Sequence, residues 1–158
     1  MGVSTATELP VRLLGLGNEL LGDDAFGIRV AREVERRWGA GIDVVTSSAA
    51  GFYLMDHMLG SSRLLVVDTV QTGQMRPGAV RVFTEDQVRP VPGGSPHFLG
   101  LFDVLGVARE LGLPAPAEVL IIAVEASYCT TLGGRMHPDV QAAIPRAVEL
   151  VAEAVGHG

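Results

Sequence analysis

Three short apolar runs limit what this chain can fold into: residues 11–16 (VRLLGL), 63–69 (RLLVVDT) and 118–124 (EVLIIAV). Each is too short for a helix and carries apolar residues almost without alternation, the pattern of a strand buried on both faces. Such strands need helices on either side, and the intervening sequence supplies them. After Asp23–Asp24, the positions Phe26, Val30, Ala31, Val34 and Trp38 recur at helical spacing, while Arg29, Arg32, Glu33, Arg36 and Arg37 take the water side. Gly39 and Gly41 stop that helix, residues 42–46 form a second strand, and a small-residue turn leads to a short helix over 53–59 with Leu54, Met55, Met58 and Leu59 inward. Residues 79–84 alternate enough for an edge strand with Arg81 outward. They follow the preceding strand too closely for a crossover helix, so the sheet is expected to be mixed. A second long helix is expected from His97, using Phe98, Leu101, Phe102, Leu105, Ala108 and Leu111, and a last one over about 140–155. The prediction is a three-layer α/β/α sandwich around a mostly parallel, mixed five-stranded sheet. Residues 1–10 read as a flexible N-terminal leader and 11–158 as a single domain.

Composition removes several classes of function. Of the 158 residues, 47% are hydrophobic and 19% charged, which suits a folded chain and not a disordered one. No apolar run approaches the roughly 18 residues of a membrane span, and the start has neither the basic nor the apolar region of a signal peptide, so a cytoplasmic location without membrane insertion is expected. A net charge of −6 argues against a nucleic-acid partner. All 12 basic residues are Arg, so Schiff-base and phosphate-loop lysines are excluded. The single cysteine, Cys129, excludes an internal disulfide and a thiolate-based structural zinc site. Any metal must be held by His and carboxylates.

In open α/β sheets, ligands bind outside the carboxyl ends of the strands. Three side chains capable of chemistry are expected there: Glu19 after the first strand, Asp68 ending the third, and His97 after the Pro/Gly loop at 90–96. Two carboxylates and an imidazole from three loops can bind a divalent ion with a position left for water or substrate. Asp23 and Asp24 read as helix caps, each worth about 1 kcal/mol, that order the turn aiming Glu19. Gly15 and Gly17 read as permissive positions that let the turn form. Glu125 and Ser127, at the end of the fifth strand, are candidates for holding a substrate tail. His57 and His137 read as surface or loop residues, with His57 the better candidate for a supporting role.

Taken together, Gly15-Leu-Gly17-Asn18-Glu19-Leu-Leu-Gly22-Asp23-Asp24, then Val67-Asp68, then Ser95-Pro96-His97-Phe98-Leu99-Gly100-Leu101 resembles the hydrogenase maturation endopeptidases. The resemblance runs from about residue 11 to 155. It implies a phosphorylase/hydrolase-like α/β/α fold. It also implies a site of Glu19, Asp68 and His97, both catalytic and metal-engaging, that recognises nickel in the substrate; zinc would suit the same donors. The implied partner is the large-subunit precursor of a nickel–iron hydrogenase, from which a C-terminal extension is removed, and a monomer suffices. Three positions depart from the usual pattern: Ala25 where Gly is common, Thr69 where Ala is common, and Ala126 in place of Pro after Glu125.

Other functions remain open. A nucleotide site fits poorly, because the spacing Gly15-x-Gly17-x-x-x-x-Gly22 is not that of a dinucleotide fingerprint and Glu19 would face the pyrophosphate. The LGLGN opening also resembles peptidyl-tRNA hydrolase, although the early histidine beside an asparagine of that family is missing. A non-catalytic metal-binding or chaperone module would use the same three ligands.

Overall fold

The computed structural model describes residues 10–87, 100–127 and 132–156. Its sheet has five strands in the order β2-β1-β3-β5-β4: β1 (Val11–Leu16), β2 (Asp43–Ser47), β3 (Arg63–Val70), β4 (Val80–Thr84) and β5 (Glu118–Glu125). The first three and β5 run parallel, and β4 is antiparallel to β5 at the edge. The mixed sheet is as expected, but β4 does not lie beside the strand it follows. β5 is inserted between β3 and β4, because β3, apolar on both faces, is covered by parallel neighbours on each side. The link over 71–79 is long enough to step across one strand, about 10 Å away.

Alternate residues of the central strands feed two cores. Leu13, Leu65, Val67, Ile122 and Val124 face one layer, where they meet Phe26, Val30, Ala31 and Val34 of α1 (Phe26–Trp38) and Ala147, Val148 and Val151 of α5 (Ile144–Val155). Leu14, Leu16, Leu64, Val66, Ile121 and Ala123 face the other, against Leu54, which precedes α2 (Met55–Met58), Met58 of α2, and Leu101, Val104 and Leu105 of α3 (Leu101–Glu110). Both faces are dry, and that is why these strands lack the alternation of a half-exposed sheet.

Two helices differ from the sequence pattern. The last one is broken into α4 (Pro138–Ala142) and α5, with Ala143 between them. Pro145 explains the break: it has no N–H to give and its ring would collide with the carbonyl one turn earlier, so it starts a helix instead of continuing one. α3 begins at Leu101 and not at His97, since Gly100 before it has φ +94, a left-handed conformation outside any α-helix. His97 and Phe98 lie outside the described residues.

The chain runs from β1 outward to β2 and then returns past β1 to β3. The order therefore reverses between β1 and β3, the switch point outside whose carboxyl ends such sheets form a ligand crevice. α1 starts across this crevice at very close range. A Cβ on Gly27 would stand 2.3 Å from the carbonyl oxygens of both Leu16 and Val67, and one on Gly15 would stand 2.5 Å from the Gly27 carbonyl. Gly15 is thus a packing glycine, not a turn former.

Candidate active site

The loop leaving β1 is folded by its own asparagine. The Asn18 side-chain oxygen accepts from the Leu20 N–H at 3.0 Å, and its carbonyl accepts from the Leu21 N–H at 3.1 Å. Both bonds close over Glu19, which is left at the outer tip and exposed. Gly17 must be glycine on two counts: its φ is +153, and a Cβ there would stand 1.9 Å from the Asp24 carbonyl oxygen. The Glu19 carboxylate is engaged by Arg32 of α1 through two bonds, Nη1 to Oε2 at 2.7 Å and Nη2 to Oε1 at 2.9 Å. These bonds hold the Glu19 carboxyl below the usual carboxylate range; the Arg32 charge and then that of Arg29 add to the effect, and partial desolvation opposes it.

Asp68 belongs to the strand on the other side of the crevice and is fully buried. One of its carboxylate oxygens accepts from the Thr69 N–H at 2.7 Å. By strand alternation its side chain shares a face with Val66 and Val70, the face covered by α2 and α3.

Asp23 and Asp24 depart from the roles their sequence position suggests. They are not helix caps: they sit, buried, in a 3-10 turn over Gly22–Ala25, and the position before α1 is Ala25, with no side-chain cap bond. Their carboxylates join loops instead. Asp24 Oδ2 accepts from the Asn18 N–H at 3.0 Å and Oδ1 accepts from the Thr69 hydroxyl at 3.2 Å. It connects the residue before Glu19 to the residue after Asp68. Asp23 Oδ2 accepts from the Ser127 N–H at 2.7 Å and Oδ1 from the His137 N–H at 2.6 Å. This gathers the segment after β5 and the start of α4 to the same turn. Thr69, one of the departures from the usual pattern, is therefore part of the site's frame. No periodicity marks such a role. The one signal in the sequence is two adjacent acids in a loop dense with glycine, where a single cap would suffice.

The remaining candidates separate cleanly. Glu125 is buried and committed to the β3–β4 link: it accepts from the Thr72 N–H at 2.8 Å and from the Thr72 hydroxyl, with Arg81 at 3.6 Å. It is not free to hold a substrate tail. Arg81, expected outward, is half-buried over the Phe83 ring. His57 stands at the opposite edge of the sheet, where its carbonyl accepts from Arg12 near the start of β1 at 2.9 Å; it has no supporting role at the crevice. His137 precedes α4 and caps it, its Nδ1 accepting from the Asp139 N–H at 3.1 Å. Ser127 keeps its place at the crevice edge through Asp23, and Cys129 lies outside the described residues. Among the described residues no three His, Cys, Asp or Glu side chains come together as a metal cage.

An open, mostly parallel α/β sheet with its switch point between β1 and β3 is the class of architecture that the chain adopts. Comparison with known proteins gives the family. The chain matches the hydrogenase maturation protease model over residues 28–154 and belongs to that family. The Hydrogenase 2 maturation protease of Escherichia coli is 29% identical over 149 residues, covering 92% of this chain and 90% of the relative. The hydrogenase expression/formation protein HupD of Thiocapsa roseopersicina is 30% identical over 148 residues, and the match covers 90% of this chain and 66% of that one. Among solved structures, the hydrogenase maturating endopeptidase HybD from E. coli superposes with a TM-score of 0.81 at 28% identity, covering 93% of this chain and 92% of that one. The [NiFe] hydrogenase maturation protease HybD from Thermococcus kodakarensis gives 0.76 at 27% identity, with 92% and 99% covered. The chain is thus a member of an endopeptidase family, as its motifs implied, and its α/β fold is that of these enzymes. No helix among the described residues is long and apolar enough to cross a membrane.

Proposed function

We propose that this protein is the endopeptidase that removes the C-terminal extension of a [NiFe]-hydrogenase large-subunit precursor after nickel has been inserted. In this proposal Glu19, Asp68 and His97 engage the nickel carried by the precursor and so hold the scissile segment across the crevice. Zinc would satisfy the same donors in nickel's place. The observation that carries the proposal is the buried Asp24 carboxylate, which ties the residue before Glu19 to the residue after Asp68 and so brings the two acid-bearing segments to the switch point. Nickel accepts carboxylate and imidazole, and a metal borne by the substrate needs an open site, not a closed cage. Exposed apolar side chains around the same edge suit a protein substrate: Leu20 is 64% exposed, Phe52 65%, Tyr53 83% and Leu132 75%, from the segments after β1, β2 and β5. The enzyme acts in the cytoplasm as a single copy, since one chain supplies every ligand.

The test is to incubate the purified protein with precursor, with and without inserted nickel, and to follow the shortened product. Cleavage is expected only of the loaded form and is lost in Glu19→Gln, Asp68→Asn and His97→Ala. Cleavage that ignores nickel, or that survives Asp68→Asn and His97→Ala together, would overturn the mechanism. Binding of the loaded precursor with no shortened product would make the protein a binding module.

A further inference from the structure

The link from β3 to β4, residues 71–79, is held at both ends. Near its start the buried carboxylate of Glu125 accepts from the Thr72 N–H at 2.8 Å, from the Thr72 hydroxyl and from the Gly73 N–H at 3.4 Å. At its end Arg76, Pro77, Gly78 and Ala79 form a tight turn, closed by the Ala79 N–H on the Arg76 carbonyl at 3.2 Å. Proline presets φ at the first central position and Gly78, at φ +91, takes the second, the arrangement of a type II turn. The turn rests on α4: a Cβ on Gly78 would stand 2.4 Å from the Asp139 carbonyl oxygen. Between link and helix lies an open groove of about 460 Å³, lined by Met75, Arg76 and Pro77 on one side and Asp139 and Ala142 on the other. Both walls belong to the switch-point edge. The link leaves β3 directly after Asp68, Thr69 and Val70, and Asp23 holds the His137 N–H at the head of α4.

We propose that this groove is the subsite for the C-terminal extension of the precursor, and that Arg76 binds the carboxylate of an acidic side chain in it. The inference rests on the precursor cleavage proposed above, not on which acid meets the nickel. The fixed turn presents Met75, 44% exposed, and an exposed Arg76. Although acids outnumber arginines 18 to 12, Arg76 pairs with no carboxylate among the described residues. Its planar fork matches a carboxylate with two parallel bonds. A groove the size of a small-ligand pocket admits an extended peptide and not a folded surface. The folded body of the precursor has the exposed Leu20, Phe52, Tyr53 and Leu132 to seat on; the extension is the part that arrives as a chain. Because the groove is open, that chain runs through it, and the acid is carried on a side chain. Asp139 on the other wall repels a second acid, so position is read as well as charge.

The experiment follows processing of nickel-loaded precursor against its concentration by the wild type, Arg76→Gln, Arg76→Lys and Arg76→Glu. Each is given the natural precursor, one with the extension's acids changed to Asn or Gln, and one with them changed to Lys. On the natural precursor Arg76→Gln should raise KM about two- to fivefold with kcat unchanged, the range of an exposed ion pair. Arg76→Lys should fall between it and the wild type, and Arg76→Glu should raise KM roughly tenfold through like-charge repulsion. On the neutral extension the wild type and Arg76→Gln should agree, and on the Lys extension Arg76→Glu should outperform the wild type. Added salt should raise the wild-type KM more than that of Arg76→Gln. Equal KM for the wild type and Arg76→Glu on the natural precursor overturns the inference. So does an Arg76→Gln defect that persists on the neutral extension; its loss when neutral residues lengthen that extension would assign Arg76 to the terminal carboxylate. Failure of the underlying function looks different: the wild type would then give no shortened product from loaded precursor, whatever its extension, and the inference falls with it.

Discussion

Replacing Asp24 should damage both stability and cleavage, because one buried carboxylate joins the two acid-bearing loops. Asp24 accepts from the Asn18 N–H and the Thr69 hydroxyl. A hydrogen bond to a charged group contributes about 1.5–3 kcal/mol. The Asn18 amide also donates to the Asp24 carbonyl at 3.1 Å, a bond the Asp24→Ala variant keeps. The net loss in Asp24→Ala is therefore nearer 2–4 kcal/mol than the full sum of roughly 3–6. At about 2–4 °C per kcal/mol for a chain of this size, the melting temperature should fall by on the order of 10 °C. Asp24→Asn retains one acceptor of the same shape and should cost about half as much. Thr69→Val removes the hydroxyl's bond to Asp24, at about 1.5 kcal/mol or more, and Thr69→Ser should restore it.

Cleavage should fall further than stability does. Well below the melting temperature, Asp24→Ala should cut the rate by about 100-fold, because a misplacement near 1 Å at a reacting group has that effect. The assays are a thermal melt followed by circular dichroism and gel-resolved processing of nickel-loaded precursor at a temperature where the variant is folded. A double-mutant cycle between Asp24→Asn and Thr69→Val should give a coupling above about 0.5 kcal/mol. A melting temperature for Asp24→Ala within about 2–3 °C of the wild type, which corresponds to about 1 kcal/mol, would refute the reasoning. So would folded Asp24→Ala that cleaves at the wild-type rate.

Three further outcomes are expected. Gly27→Ala should destabilise by about 3 kcal/mol or more, since its Cβ would meet two backbone carbonyls at 2.3 Å and neither is free to retreat; a denaturant midpoint equal to that of the wild type would contradict this packing. Glu33 is held at about 2 by its bonds to Arg36 and Arg37. A carboxyl with a depressed value stabilises the fold fully above its ordinary 4.5 and loses that contribution as pH falls toward 2; because the group is on the surface, the melting difference between wild type and Glu33→Gln should be no more than a few degrees at neutral pH and should close across that window. Arg32→Gln should move the Glu19 titration upward toward 4.5, followed by NMR of the side-chain carboxyl, because the main cause of its lowered value is the pair of bonds to Arg32.

The fold is legible in the sequence where its causes are local or periodic. An unbroken run of branched side chains such as Leu64-Leu65-Val66-Val67 dictates a strand covered on both faces, and the i, i+4 recurrence of Phe26, Val30 and Val34 dictates the face of α1. Pairing order is not legible in the same way. Nothing in residues 79–84 says that their partner is the strand beyond the next helix, because edge pairing is set by which faces the central strands need covered. The break between α4 and α5 is signalled by Pro145, which a periodicity argument passes over since the apolar spacing continues across it.

The site divides along the same line. That Glu19 follows β1 and Asp68 lies near the end of β3 can be read because strand ends and loops are defined by sequence, whereas the work of Asp23 and Asp24 cannot. A helix cap is a contact within four residues and so leaves a local trace. The bonds of Asp23 reach Ser127 and His137, and one from Asp24 reaches Thr69, distances along the chain at which only the finished sheet brings donor and acceptor together. Their burial carries the functional argument further. Two adjacent carboxylates kept out of water are costly unless each is met by donors. Here the donors are backbone amides and a hydroxyl from the segments that flank Glu19, Asp68 and the end of β5. The same bonds that make the burial tolerable also fix how the segments carrying Glu19 and Asp68 and the segment after β5 sit against one another.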